Sequence, residues 1–435
     1  MNKKIQDILN FKYFFVFYLL GLLLIVFGLN TTPDSFAYID GAKNIITNGK
    51  YVYDANGLSI TLFPPGYSLL ISVLFICFGY SVTPIIVLNT FNYTFLAILF
   101  YRKNININKL LLIALFSIYI NIISGSYSML LSETIFIPVF LFWYSILNET
   151  KNRTNKILIL VLELLMISLR YASILLIFSY YAVKSTEVLL GKRTAKEKTL
   201  EIINLVWIPF LSLIYFIVLR SLISGTGSKH QFILGAGKYN FYEYPIQFIN
   251  DVGSKLIGHA VSFQLEKYHV MLLVSIFILV FLLRIIKVKF NDFSLKFIIV
   301  AFIVHVVFLS NVWVDDALNG RYLIWFWMVL FFNAKIELRT INLKSKLFVI
   351  SLILFQFVDL LYFDFKAIEN YNIHTYSLKD KKEFEFNNFI PVTTKFKTGI
   401  FQSNISTNGN FSLDGEGQLS LVSPCYKWNL PQEKK

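Results

Sequence analysis

Cysteine is almost missing from this chain. The two present in 435 residues, Cys77 in an apolar stretch and Cys425 near the C-terminus, cannot build a disulfide framework, and they leave the redox compartment open. No Cys or His spacing suggests a zinc site. Charge is equally scarce: 15% of residues are charged while 56% are hydrophobic, with 44 Phe and 25 Tyr, which excludes an ordinary soluble globular protein. Acids are the scarcer charge, and the formal net charge is +14. The Lys and Arg fall in short clusters between apolar spans, so the positive-inside rule accounts for them and nucleic acid is not an expected partner. There is no glycine-rich phosphate loop, no internal repeat and no low-complexity tract. What remains is an all-α polytopic membrane protein.

Lys3, Lys4 and Lys12 precede an apolar run at residues 13–29. The run is long, and Asn30-Thr31-Thr32-Pro33 lacks a small-x-small cleavage site, so it reads as an uncleaved first helix. Five further basic clusters follow, around Arg102, Arg153, Lys192, Lys287 and Lys344. Putting all six in the cytoplasm predicts eleven crossings, at about residues 12–29, 83–101, 110–125, 133–147, 157–169, 171–183, 201–223, 270–287, 296–312, 321–334 and 347–363. The N-terminus is then cytoplasmic and the C-terminus extracytoplasmic, in the inner (cytoplasmic) membrane.

Two choices follow from that topology. Residues 66–80 are short for a crossing and would invert every later loop, so they are expected as a juxtamembrane or re-entrant helix. Residues 157–183 have basic clusters at both ends, which predicts two short helices turning at Arg170; the alternative is one long tilted helix. Residues 1–363 form the membrane domain, with a first outer loop at 30–80, and residues 364–435 a small extracytoplasmic tail or domain with weak strand-like alternation near 384–389.

Candidate chemistry gathers on the outer side. Asp34 follows the first span, with Tyr38 one helical turn later on the same face of a short amphipathic helix. A carboxylate there can accept a proton from a hydroxyl, or Asp34 and Ser35 can simply cap a helix start. Glu133 opens the fourth span, where the helix dipole alone also favours an acid. Arg170 and Arg321 are expected at outer membrane edges, as phosphate forks or as snorkelling side chains. Glu163 and Asp359 lie inside apolar spans, where an unpaired acid costs about 2.5 to 3.5 kcal/mol, so both need partners. Glu163 is expected to pair with Arg170, two turns along, and Asp315 and Asp316 to neutralise Arg321. His259, His269 and His305 are scattered.

A first span, an outer loop carrying Asp34-Ser35-x-x-Tyr38, and Pro64-Pro65-Gly66-Tyr67 leading into a juxtamembrane helix resemble the GT-C glycosyltransferases, closest to their protein O-mannosyltransferase and lipid A aminoarabinose transferase branch. The likeness covers roughly residues 12–185, with a weaker echo at Gly320-Arg321-Tyr322-Leu323. The resemblance implies that Asp34 is the catalytic base and that Glu133 is the second-loop acid near the acceptor or a metal. It implies that Arg170, Arg321 and Tyr322 bind the donor phosphate, and that Tyr38, Pro64, Pro65, Gly66 and Tyr67 shape the first loop. The donor would be a polyprenyl-phosphate-linked sugar and the acceptor a lipid, glycan or protein hydroxyl among the membrane lipids. Ser35 stands where an acid is often found and the second-loop acid is Glu, so a divalent metal is a possibility rather than an expectation.

Two other classes compete. A surface-polysaccharide polymerase or ligase would use a large late outer loop, and Lys229, His230, Lys238 and His259 fall in one. A transporter or flippase would show paired repeats, which the chain lacks.

Overall fold

In the fourth helix the usual amphipathic order is reversed. Along Thr83–Asn104 the exposed stripe is Val87, Phe91, Phe95 and Ile98, while the buried face includes Asn89 and Asn104 beside Tyr93 and Phe100. Apolar side chains that face outward at helical spacing, with amides turned inward, suit a lipid environment. The computed structural model describes residues 3–27, 33–52, 60, 63–79, 83–104, 108–127, 131–149, 154–192, 194–224, 243–258, 270–309, 324–338 and 342–378.

Among these residues the chain is helical apart from one small ribbon. In order the helices are α1 (Lys3–Phe27), α2 (Pro33–Asn48), α3 (Gly66–Phe78), α4 (Thr83–Asn104), α5 (Lys109–Tyr127), α6 (Glu133–Glu149), α7 (Thr154–Leu169), α8 (Ser173–Leu190), α9 (Ala195–Ser224), α10 (Glu243–Ile257), α11 (Met271–Ile285), α12 (Asp292–Leu309), α13 (Ile324–Asn333) and α14 (Leu343–Leu378). Four stretches are long and apolar enough to cross a membrane: Thr83–Asn104, Ser173–Leu190, Ala195–Ile223 and Leu343–Phe365. Six shorter helices are also apolar.

Local chemistry sets the boundaries. Pro33 opens α2 at a position where its missing N–H costs nothing. Thr194 and Glu197 form a capping box before α9: the Glu197 amide donates to Thr194 Oγ1 at 3.3 Å and the Thr194 amide to Glu197 Oε2 at 2.9 Å. Asn291 and Asn342 accept the amides of Ser294 and Ser345 at 2.6 and 2.8 Å, starting α12 and α14.

The expected break at Arg170 is present, and it is a reversal. Tyr181 in α8 donates to Glu163 in α7 at 2.8 Å, although eighteen residues of one continuous helix would hold them about 27 Å apart. The two helices therefore fold back on each other at Arg170-Tyr171-Ala172. Glu163 itself corrects an expectation. Its buried carboxylate accepts from Trp143 Nε1 at 3.2 Å, from Tyr181 at 2.8 Å and from Ser212 Oγ at 2.7 Å, tying α6, α8 and α9 to α7, and it does not pair with Arg170. Asp359 finds its partner on α5, where Asn121 Nδ2 donates to it at 2.7 Å and to Gln356 Oε1 at 2.8 Å.

Three elements differ from the sequence-based expectation. The stretch expected as a late outer loop contains α10, which packs on α11 where Gly253 meets Ser275 so closely that any Cβ would sit 2.0 Å from its hydroxyl. Gln356 donates to the carbonyls of Lys255 and Leu256, both at 2.9 Å, satisfying groups the end of α10 leaves open. The segment assigned to the tail begins as a continuation of α14, which runs through Asp364 to Leu378; residues 379–435 lie outside the described residues. A two-stranded antiparallel ribbon joins β1 (Ile286–Lys289) to β2 (Lys335–Leu338), with Lys287 opposite Glu337 and Lys289 opposite Lys335. Two of the basic clusters thus lie side by side.

Candidate active site

The site is assembled from three separate stretches of chain. From α2, Tyr38 is buried and its hydroxyl donates to Ser132 Oγ at 3.1 Å. Ser132 immediately precedes α6, and its hydroxyl donates to Glu133 Oε2 at 3.4 Å. From the α7–α8 turn, Arg170 Nη1 donates to Glu133 Oε1 at 2.5 Å. Glu133 is fully buried and the Arg170 side chain 11% exposed, with its guanidinium 5.9 Å from the Phe136 ring centre. These contacts form one polar chain from the first-loop helix to the hairpin.

The start of α6 is held from behind. Thr134 O accepts from the Tyr127 hydroxyl at 2.8 Å and from Asn92 Nδ2 at 3.4 Å, and Asn89 Nδ2 donates to Tyr127 O at 3.1 Å. In the first loop, Pro64 O accepts from the Tyr51 hydroxyl at 3.4 Å, and Pro65 leads directly into α3. Gly66 then touches the end of α7: a Cβ there would lie 2.5 Å from the Ser168 carbonyl oxygen and 2.8 Å from its carbon, both backbone atoms that cannot move aside cheaply. Tyr67 stands edge-on to Tyr38, with ring centres 5.0 Å apart. Its hydroxyl lies beside Thr134 and within electrostatic reach of Glu133, without a hydrogen bond of ordinary geometry. Gly66 thus sets the distance between α3 and the turn that carries Arg170.

The structure therefore brings together Tyr38, Gly66, Tyr67, Glu133 and Arg170. Asp34 is the second residue of α2, one turn before Tyr38; its side chain is not among those described. Arg321, Tyr322, Asp315, Asp316, Lys229, His230, Lys238 and His259 lie outside the described residues. The Glu133 carboxylate faces the Arg170 guanidinium with Oε1 and the Ser132 hydroxyl with Oε2. Among the described residues no three His, Cys, Asp or Glu side chains gather as a metal site would require.

Two further polar residues were given no role at this site by the sequence. Asp40, also on α2, is fully buried. His305 in α12 is 2% exposed and within electrostatic reach of Arg170. Neither belongs to a local motif; what distinguishes them is burial, which only the fold reveals. No family model, no curated protein and no solved structure matches the chain.

Proposed function

We propose that this chain is an integral membrane glycosyltransferase of GT-C type, which moves a sugar from a polyprenyl-phosphate donor to an acceptor hydroxyl at the outer membrane face. The observation that supports this reading is the continuous chain Tyr38–Ser132–Glu133–Arg170. It joins the first-loop helix, the start of α6 and the helical hairpin, the same three places at which the resemblance expects catalytic and phosphate-binding groups.

In this reading the membrane domain crosses eleven times, the N-terminus is cytoplasmic and residues beyond α14 are extracytoplasmic. The acceptor hydroxyl attacks the anomeric carbon from the side opposite the phosphate. The bond from that carbon to the phosphate oxygen breaks, the new glycosidic bond forms with inversion, and the acceptor proton passes to Asp34. The departing lipid phosphate gathers negative charge, which Arg170, with Arg321 and Tyr322, stabilises. A guanidinium suits this double duty, since its planar fork can be anchored on one edge by a carboxylate and address a phosphate with another. Glu133 then orients Arg170, and Ser132 with Tyr38 orients Glu133. The donor linkage supplies the free energy, so no nucleotide is required.

The test is Asp34→Asn in membranes supplied with polyprenyl-phosphate sugars. Transfer should be abolished while the protein still accumulates in the membrane; near-normal transfer would remove Asp34 as the base.

A further inference from the structure

Within electrostatic reach of Arg170 lies a buried pair of polar side chains that the reaction described above does not use. His305 Nδ1 lies 2.8 Å from the Ala301 carbonyl. A carbonyl only accepts, so the neutral ring carries its proton on Nδ1 and leaves Nε2 as an acceptor. The other member is Trp325, 2% exposed at the start of α13, whose indole N–H has no partner among the described residues. The two rings are 5.3 Å apart, tilted by 33°. Buried polar atoms are nearly always satisfied, so the unpaired indole donor beside an imidazole acceptor calls for an occupant.

The position of this pair follows from helix register. Tyr144 in α6 and Ser294 in α12 share a hydrogen bond of 2.9 Å. Eleven residues toward the start of α6 stands Glu133, and eleven toward the end of α12 stands His305. Eleven residues make three turns, about 16 Å, and return each helix to the same face. Tyr180 and Lys184, in the second half of α8, meet Phe293 at the start of α12, and α8 packs along α12, so the beginning of α8, next to Arg170, lies toward the end of α12 that carries His305. His305, with Trp325 against it, therefore lies toward the same end of the helices as the Glu133–Arg170 pair.

We infer that His305 and Trp325 form a subsite for a neutral, hydroxyl-bearing group, the sugar of the donor, next to the phosphate held by Arg170. A hydroxyl is the group that donates to an imidazole nitrogen and accepts from an indole N–H at once, and the flat indole offers a face for the ring carbons. A carboxylated or phosphorylated sugar would leave the His305 acceptor facing an acceptor. The inference rests on the proposed function and adds to it the chemistry of the transferred group.

The test compares lipid binding by the full-length protein in detergent, using bare undecaprenyl phosphate and undecaprenyl phosphate carrying glucose, mannose or galactose. Two variants leave the fold least disturbed: Trp325→Phe keeps a ring and removes the N–H, and His305→Asn keeps a donor for Ala301 and removes the distal acceptor. For the wild type, at least one hexose should tighten binding over the bare lipid. Each variant should lose about tenfold of that gain while binding bare lipid, and melting, as the wild type does. A sugar that adds nothing in the wild type, or variants that keep its full contribution, overturns the subsite and leaves water as the occupant; Arg170-dependent binding of bare lipid would still support the donor class. Failure of the wild type to bind any of these lipids overturns the functional reading as well.

Discussion

Arg170 and Glu133 lie thirty-seven residues apart in sequence and meet at 2.5 Å, the acid fully buried and the base nearly so. Removing one partner strands the other where water cannot solvate it, a loss of about 3 to 5 kcal/mol for a buried pair, whereas apolar replacement of both is often neutral. Glu133→Leu alone is therefore expected to lower the thermal midpoint of the purified protein sharply, and Glu133→Leu with Arg170→Met to recover most of it. Sugar transfer should be lost in both. Equal midpoints for the single and double variants would mean that the pair is not formed in the membrane.

Gly66→Ala places a methyl group against the Ser168 backbone. Overpacking of this kind costs about 1 to 3 kcal/mol, and here the stationary atoms are main chain. The variant should melt earlier than the parent and transfer sugar poorly, because the α3 contact that positions the Arg170 turn is pushed open. A thermal midpoint within a degree of the parent would show that α3 and α7 are farther apart than described.

Glu163 accepts three hydrogen bonds from three different helices. Glu163→Ala orphans all three donors, each worth about 1 to 3 kcal/mol when left buried and unpaired, so the protein should fail to accumulate in a folded form. Tyr181→Phe removes one donor and leaves its partner two others, so a loss nearer 1 kcal/mol is expected. Fluorescence-detected size exclusion of the two variants separates these outcomes; a well-folded Glu163→Ala protein would contradict the arrangement.

Sidedness is tested with an amine label that does not cross membranes. In intact cells Lys103, Lys151, Lys289 and Lys335 should be protected and Lys50 and Lys379 should react. Labelling of Lys103 or Lys289 without permeabilisation would overturn the topology.

Much of this arrangement was legible in the chain because its determinants are local. The Arg170 break followed from basic residues at both ends of one apolar run, and the boundaries of α9, α12 and α14 coincide with capping residues written in adjacent positions. The partner of Arg170 was not legible. Glu163, two turns away in α7, looked closer than Glu133, but helical spacing applies only while the helix continues, and the reversal turns Arg170 toward the start of α6. His305 and Trp325 were hidden for a similar reason: each sits in an apolar segment that resembles any other until two helices set them face to face. In α10, Phe248, Val252 and Leu256 repeat at four-residue intervals, a helical signal in a stretch too polar to cross a membrane. The β1–β2 ribbon pairs segments more than forty residues apart, which no local pattern announces.

That ribbon has a mechanical meaning for the groups it lies far from. It brings the chain back beside itself just before α12 and just after α13, so the two helices are clasped at one end like the arms of a pair of tongs. His305 and Trp325 are near the opposite tips. What fixes the spacing of the tips is then side-chain packing, with Phe297 against Trp325 and Phe248 against both Phe302 and Phe326, and not main-chain pairing.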